Sequence, residues 1–315
     1  MAEFKGFKKG VNLGGWLSQC NHTVEHYDTF ITEEDIKYLS DWNIDHLRIP
    51  VDYNLVEEAD GTYKENGFEY IANAIKWCRK YNLNVLLDLH KTFGYSFDAG
   101  EKEAGFFENE KYQERFYCLW EEFAKRYSSF NEHIAFELLN EVVDEKDRDP
   151  WNRIAGECIK RIRAISKDVF ILVGGYKNNA VTTVSEIAEF DDENIVLNFH
   201  CYEPLRYTHQ GAYWMEGMDT SFRMSIEDSP ASVEYFENLF KDALETAKKR
   251  NLQLYCGEYG VIDRADADGA YKWYSYIHAV FEKYGISHAA WSYKEMDFGL
   301  MGDYLSNVKR DFFEK

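Results

Sequence analysis

Two short apolar runs in this chain each end close to a glutamate. The first run, His133–Glu141, reads HIAFELLNE, and the second, Leu252–Gly260, reads LQLYCGEYG. Burying an ionised carboxylate without partners is strongly unfavourable, so a glutamate at the end of a buried strand indicates a site built to hold it. Two such ends suggest that Glu141 and Glu258 face each other. Paired carboxylates of this kind cleave glycosidic bonds.

Three residues near the ends of apolar runs suit such a pair. Arg48 is able to keep one glutamate ionised by charge pairing, and Tyr202 to donate a hydrogen bond to the same carboxylate. Asn140 is able to hold a sugar 2-hydroxyl, a contact that strengthens in the transition state. Each also has an ordinary interpretation, since an arginine can simply bridge strands and an Asn-Glu dipeptide is a weak signal.

His90, His200 and Trp291 end further apolar runs. The two histidines are suited to donate to sugar hydroxyls or to orient a carboxyl group, and Trp291 to form a floor on which a sugar ring stacks. His90 and Trp291 could equally belong to the core. Polar groups at the ends of so many runs are hard to explain by packing alone, so we expect one cluster.

Composition restricts the partners of the chain. It has 315 residues, 45% of them hydrophobic, and a formal net charge of −20. This balance makes nucleic acid and anionic membranes poor partners, and no stretch approaches the roughly 18–20 apolar residues of a membrane span. The start, MAEFKGFKKGVNLGGWL, lacks an apolar signal region. We expect a monomer that is either cytoplasmic or secreted and expressed without its leader.

The cysteines show no pattern that points to a disulfide framework or a metal. They are scattered and include no CxxC pair, so we expect free and mostly buried thiols. The positions are Cys20, Cys78, Cys118, Cys158, Cys201 and Cys256.

The apolar runs predict the elements that position the candidate residues. They are short and continuous rather than alternating, which is typical of parallel strands buried on both faces. The predicted strands are Gly10–Leu17, His46–Pro50, Asn84–His90, His133–Glu141, Val169–Gly175, Ile195–Tyr202, Leu252–Gly260 and Ser287–Tyr293.

Helical patterns separate these runs. A capping-box-like start at Thr32 precedes one helix, and the stretch Asn179–Phe190 is the weakest helix prediction. The other predicted helices are Phe68–Tyr81, Lys111–Tyr127, Trp151–Ile165, Val233–Arg250 and Ala270–Tyr284. Strand then helix, repeated about eight times, predicts an α/β protein with a single-domain (β/α)8 TIM barrel over 1–315. Its active site should lie at the C-terminal ends of the strands.

The ordered set of candidate residues resembles that of glycoside hydrolase family 5, the large cellulase family of clan A barrels. The matching residues are Arg48, His90, Asn140, Glu141, His200, Tyr202, Glu258 and Trp291. The resemblance implies that Glu141 is the acid/base and Glu258 the nucleophile of a retaining enzyme that uses two glutamates in a double displacement. It implies no cofactor and no metal.

Longer segments resemble the small bacterial endoglucanases of the endoglucanase C type within that family. They are GVNLGGWLSQ, EHYDTFITEEDI, HIAFELLNEVV, THQ at Thr208–Gln210, and LYCGEYGVI. This likeness implies an endo-β-glucanase acting on β-1,4 linkages of cellulose-type and mixed-linkage β-1,3-1,4-glucans. Two features depart from that group: Lys91 stands where a second histidine is common, and the segment after Tyr202 is shorter than the group's inserted subdomain.

An extended βα loop is predicted at 203–230. It is rich in aromatic residues, which form either a small satellite core or a cleft wall that grips sugar rings. Tyr207, His209 and Trp214 in this loop, together with Trp16, are the additional candidates for substrate contacts.

Three alternatives stay open. The first is an exo-β-1,3-glucanase, a xyloglucanase or a mannanase on the same barrel, because loops set specificity. The second is an inactive carbohydrate-binding barrel, although binding alone does not need both glutamates. The third is a metal-dependent hydrolase using His90, Glu141, His200 and Glu258, against which the positive charge of Arg48 argues.

Overall fold

Eight parallel strands close into a barrel, and each strand pairs with the next one along the chain. The computed structural model describes residues 3–98, 103–130 and 132–315. The last strand pairs with the first, which closes the sheet. The (β/α)8 class predicted from the sequence is confirmed. The strands are β1 (Lys9–Asn12), β2 (His46–Asp52), β3 (Asn84–Lys91), β4 (Ile134–Glu137), β5 (Phe170–Gly174), β6 (Ile195–Cys201), β7 (Gln253–Tyr259) and β8 (Ser287–Ala290).

Helices surround the barrel and cover its outer face. Their bounds are α1 (Val24–Thr29), α2 (Glu33–Ser40), α3 (Tyr53–Val56), α4 (Glu65–Lys80), α5 (Glu110–Tyr127), α6 (Arg148–Ile165), α7 (Leu205–Thr208), α8 (Val233–Arg250), α9 (Ala267–Tyr284) and α10 (Ser306–Val308). The predicted capping box is present, because the Thr32 amide donates to Asp35 Oδ2 at 2.9 Å. Within the described ranges, no helix has the length and apolar character needed to cross a membrane.

Two apolar layers hold the fold together. The larger lies between the strands and the amphipathic helices, and α4 contributes the buried face that contains Phe68, Ile71 and Ile75. The smaller cluster combines Phe4 and Phe7 with inward side chains of the strands. These inward residues are Leu86, Ala135, Leu172, Val196, Tyr255 and Ala289. The barrel interior is therefore a packed core below the polar site.

Several predicted strands are too long at the end that carries the site. β4 ends at Glu137 rather than at Glu141, β1 ends at Asn12 rather than at Leu17, and β8 ends before Trp291. Glu141 has a φ of +30°, which a β-strand does not allow, so the chain has already left the sheet there.

The predicted helix at Asn179–Phe190 is wrong. The structure has a 3-10 helix at Val181–Glu186 instead. The hydroxyl of Thr183 donates to the carbonyls of Tyr176 and Ala180 at 3.1 and 2.8 Å. Side-chain bonds of this kind compete with the backbone bonds of an α-helix and favour a tighter turn.

Candidate active site

The predicted site residues converge at the C-terminal mouth of the barrel. A cleft with a volume of about 530 Å³ opens there. It is lined by His90, Glu141, His200, Tyr202, Glu258 and Trp291, and Arg48 and Asn140 lie buried beneath them. Arg48 comes from the middle of β2, and the other residues come from the ends of β3, β6 and β7 and from the segments that follow β4, β6 and β8.

Arg48 on β2 is the fully buried centre of the site. Its guanidinium donates to Glu258 Oε1 at 2.8 Å and forms a two-pronged pair with Glu137 at 2.7 and 2.8 Å. It also donates to Asn140 Oδ1 at 2.9 Å and lies 3.1 Å from Asp88 Oδ2. Burial opposes the positive charge, but the carboxylates of Asp88 and Glu137 outweigh it and raise the pKa of Arg48. The arginine thus stays charged and ties the floor of the site to Glu258.

Glu258 receives a hydrogen bond on each carboxylate oxygen. Arg48 donates to Oε1 at 2.8 Å, and the Tyr202 hydroxyl donates to Oε2 at 2.9 Å. Glu258 is the sixth residue of β7, so the rigid sheet fixes its position. Two donors, one of them charged, suit a carboxylate that is ionised and aimed for attack.

Glu141 lies in a different environment. Its backbone is clamped by Tyr95, whose hydroxyl donates to the Glu141 carbonyl at 2.6 Å and accepts from the Val143 amide at 3.0 Å. Burial raises the pKa of Glu141 to about 7, although a hydrogen bond from Asn178 opposes the rise. Glu141 is therefore able to hold a proton near neutral pH, as a general acid must.

His200 lies between the two glutamates. Its Nδ1 is 2.7 Å from Glu141 Oε1 and 3.7 Å from Glu258 Oε2. Burial lowers the pKa of His200 to about 4, so the ring is neutral at pH 7. Ligand-type atoms of all three residues lie within 4.8 Å of one another. One carboxylate oxygen of Glu141 and one of Glu258 therefore lie no more than 4.8 Å apart, which is nearer to the roughly 5–5.5 Å between the carboxyl groups of retaining glycosidases than to the roughly 6.5–9.5 Å of inverting ones.

The same three side chains offer atoms that a metal ion could use. The Arg48 guanidinium, however, donates to Glu258 at 2.8 Å and supplies the positive charge that a cation would bring. The charge of Arg48 would repel a metal ion bound to the same carboxylate. The site is therefore better suited to acid–base chemistry than to metal binding.

Two further predicted residues form the wall of the cleft. The rings of His90 and Trp291 stack in parallel, with centroids 5.7 Å apart and an interplanar angle of 2°. His90 Nδ1 lies 2.5 Å from Asp88 Oδ2, which orients the ring. Burial lowers the pKa of His90 and raises the pKa of Asp88 to about 7. Trp291 therefore presents a rigid aromatic face to the cleft.

Asn140 has a donor to spare. Its Oδ1 accepts from Arg48, whereas its buried Nδ2 has no hydrogen-bond partner among the described residues. A buried N–H group of this kind normally has a partner. The free Nδ2 fits the predicted contact with a sugar hydroxyl.

The four additional candidates divide into two pairs. Trp16 and Tyr207 are fully buried and do not line the cleft, which corrects their assignment as substrate contacts. Because β1 ends early, Trp16 packs on Trp77 of α4 and donates to the Tyr27 carbonyl at 2.9 Å. His209 and Trp214 do line the cleft, and 41% of Trp214 is exposed. The loop after β6 therefore packs in part on the main core, through Tyr207, and in part forms a wall of the cleft.

Sequence reasoning missed several polar residues of the site. Asp88 and Glu137 lie inside apolar runs, and Asn198 Nδ2 donates to Glu137 Oε1 at 2.8 Å. A spacing of two residues could have revealed two of them, because residues two apart in a strand face the same side. Asp88 precedes His90 by two residues, and Asn198 precedes His200 by two. Asn178, which donates to Glu141 Oε2 at 2.9 Å, lies in a loop and left no such signal.

A closed (β/α)8 barrel that holds two glutamates this close together at its C-terminal mouth defines a glycoside hydrolase. The model of the cellulase family, glycosyl hydrolase family 5, matches residues 6–297, and the chain belongs to this family.

Curated relatives and solved structures agree with this family. Cellodextrinase A of Ruminococcus flavefaciens is 52% identical over 287 residues, which cover 91% of this chain and 85% of the relative. Endoglucanase C of Acetivibrio thermocellus is 40% identical over 332 aligned residues, which cover 97% and 96%. The structure of Thermotoga maritima Cel5A in complex with cellobiose has a TM-score of 0.82 at 25% identity, over 95% of this chain and 94% of that one.

Proposed function

We propose that the protein is a retaining endo-β-glucanase that hydrolyses β-1,4 linkages in cellulose-type and mixed-linkage β-1,3-1,4-glucans. The observation that carries the proposal is the contrast between its two glutamates. Glu258 accepts from Arg48 and Tyr202, whereas burial raises the pKa of Glu141 to about 7. Two neighbouring carboxyl groups in such different environments are suited to opposite roles.

In the first step, an oxygen of Glu258 attacks the anomeric carbon. The bond between that carbon and the glycosidic oxygen breaks, and its electron pair goes to the oxygen. Glu141 gives its proton to this oxygen, so the leaving sugar departs as a neutral alcohol. The products are a glycosyl ester on Glu258 and an ionised Glu141.

In the second step, water attacks the same carbon from the side that the leaving sugar has vacated. Glu141 takes a proton from the water, and the bond to Glu258 breaks with its electron pair returning to the carboxylate. Arg48 and Tyr202 are in place to stabilise the released carboxylate. Two inversions give net retention.

The neighbouring residues are suited to hold the substrate. Asn140 is buried beneath the residues that line the cleft, and we assign its Nδ2, which has no partner among the described residues, to the 2-hydroxyl of the sugar under attack. Trp291 and the more exposed Trp214 both line the cleft, and each supplies an aromatic face for stacking. We assign Trp214 to a subsite next to the reacting sugar.

The relatives of the chain support a glucan substrate. One relative is a cellodextrinase and another an endoglucanase, and a solved neighbour was determined with cellobiose. Another structure of that neighbour contains mannotriose, which keeps a mannan substrate as the second candidate.

Product analysis tests the proposal. The purified protein is incubated with cello-oligosaccharides, barley β-glucan, laminarin, xyloglucan and mannan, and products are followed by chromatography and by proton NMR of the anomers. We expect internal cleavage of cellulose-type and mixed-linkage chains, with the β-anomer formed first, and little action on laminarin. Preferential cleavage of mannan would favour the second candidate. Formation of the α-anomer first would contradict the assigned mechanism.

A further inference from the structure

The turn that follows β5 has an unusual backbone. Lys177, Asn178 and Asn179 have φ values of +52°, +57° and +53°. The left-handed region is unfavourable for residues other than glycine, and asparagine enters it mostly as a single residue. Three such residues in succession therefore need external support.

The support comes from the segment that carries the acid/base. The amides of Lys177 and Asn178 donate to the carbonyls of Val143 and Val142 at 3.2 and 3.0 Å. Val142 directly follows Glu141 in the chain. The turn is thus pinned to the Glu141 segment and keeps a fixed position relative to its carboxyl group.

The two asparagines of this turn act on different oxygens of Glu141. Asn178 Nδ2 donates directly to Oε2 at 2.9 Å. Asn179 acts on His200, because its carbonyl accepts from the His200 amide at 2.8 Å and its Nδ2 lies 3.5 Å from His200 Nε2. His200 Nδ1 in turn lies 2.7 Å from Oε1.

One arrangement of protons fits these contacts, because Asn179 Nδ2, which can only donate, lies 3.5 Å from His200 Nε2 and leaves the ring proton to Nδ1. A neutral His200 carries one ring proton, and Nδ1 is the nitrogen that faces the two glutamates. With the proton on Nδ1, Oε1 of Glu141 accepts a hydrogen bond, so the acid proton belongs on Oε2. Asn178 donates to this same Oε2, and that hydrogen bond is strongest when the oxygen is ionised.

We propose that Asn178 is a positioning residue that selectively stabilises the ionised form of Glu141 through its hydrogen bond to Oε2. The inference rests on the proposed function, in which Glu141 must exist protonated in the first step and ionised in the second. Asn178 is exposed at the rim of the cleft, so its side chain can be removed without opening the core.

Other charged and titratable groups also face the Glu141 carboxyl group from the surrounding elements. They are Arg48, Asp88, His90, Tyr95, Asp98, His200, Tyr202, Glu203 and Glu258. Lys177 belongs to the turn itself, and its Nζ lies 3.5 Å from Glu145 Oε2. A variant of Asn178 alone leaves all of them in place, so a change in the titration of Glu141 reports the lost or altered hydrogen bond.

The test uses substitutions that tolerate a positive φ. Asn178→Gly removes the donor, and Asn178→Asp replaces it with a carboxylate. Asn251→Gly is the matched control, because Asn251 ends α8 with a φ of +54° far from the cleft. Glutamate labelled with ¹³C at Cδ allows a direct NMR titration, and the signal absent from Glu141→Gln identifies Glu141.

We expect Asn178→Gly to raise the pKa of Glu141 by about 1 unit. Asn178→Asp should raise it further by repulsion, and Asn251→Gly should match the wild type. The alkaline limb of the kcat/KM profile on cello-oligosaccharides should shift to higher pH by the same amount. The ratio of kcat/KM at pH 8 to that at pH 6 should then be about fivefold higher in Asn178→Gly than in the wild type.

An unchanged or lower pKa of Glu141 in Asn178→Gly would overturn the proposal, as would a loss of activity without movement of the limb. The NMR titration needs no substrate. If the wild-type protein hydrolysed no glucan, the proposed function would be refuted. The NMR titration would still decide whether Asn178 has the proposed role.

Discussion

The Glu141→Gln variant tests whether the buried carboxyl group of Glu141, the proposed general acid, lowers the stability of the folded protein. Burial raises the pKa of Glu141 from 4.5 to about 7 in the folded protein. At about 1.4 kcal/mol per pKa unit, this rise corresponds to about 3 kcal/mol. A folded-state pKa above the unfolded value means that the stabilising contribution is complete below about pH 4.5 and is lost as the pH rises to about 7. Glutamine has no such proton to lose.

The expected result is a pH-dependent difference between variant and wild type. The free energy of unfolding is measured by urea titration for both proteins. As the pH rises from 4.5 to 7, the value for Glu141→Gln minus that for the wild type should increase by up to about 3 kcal/mol. Glu193→Gln serves as the control, because Glu193 is exposed in the loop before β6 at the opposite end of the barrel. The gain expected for Glu141→Gln should be absent from this control.

Activity should change in the opposite direction. Loss of a general acid costs about 10²–10⁴-fold in rate, so kcat/KM of Glu141→Gln on cello-oligosaccharides should fall by that range. If the stability difference between Glu141→Gln and the wild type did not vary with pH, or shrank above pH 5, the assignment of a raised pKa to Glu141 would be wrong.

The remaining predictions concern the nucleophile, the substrate and the metal. Azide should partly rescue Glu141→Ala on aryl cellobiosides with retention, whereas any azide product of Glu258→Ala should be inverted; identical stereochemistry in both would refute the two roles. Tyr202→Phe should lower kcat/KM by about 10–100-fold, and an unchanged value would show that the hydroxyl bond to Glu258 does not matter. Trp214→Ala should raise KM for oligosaccharides more than for aryl cellobiosides; equal activity on both would remove Trp214 from the subsites. Dialysis against EDTA should leave activity intact, and a loss restored by added zinc would favour the metal alternative.

The sequence predicted the barrel well because of a physical property of parallel strands. Strands covered on both faces are apolar throughout, and a predicted run covers most of the length of each observed strand. The ends were less accurate. β4 ends where the backbone turns to place Glu141 at the cleft. The apolar character of the neighbouring residues does not predict that turn.

The sequence predicted the residues that line the cleft together with the buried Arg48 and Asn140, and it missed the buried carboxyl groups that contact Arg48. Residues at the ends of apolar runs stand out, whereas Asp88 and Glu137 are single charges inside such runs. Their place becomes clear only when every second residue is followed down the strand toward the barrel interior. The role of Asn178 could not be predicted from the sequence. Its turn is positioned by hydrogen bonds to the carbonyls of Val142 and Val143, and no local sequence pattern indicates these contacts.

The backbone of Glu141 has a consequence for making glycans rather than breaking them. A retaining hydrolase without its acid still forms the glycosyl ester from an activated donor and passes the sugar to a strong nucleophile that needs no base. With a φ of +30° at this position, glycine is the replacement that the backbone tolerates best. Glu141→Gly should therefore remove the proposed acid and at the same time relieve the backbone strain at this position. This substitution is thus a suitable first step toward a catalyst that joins sugars.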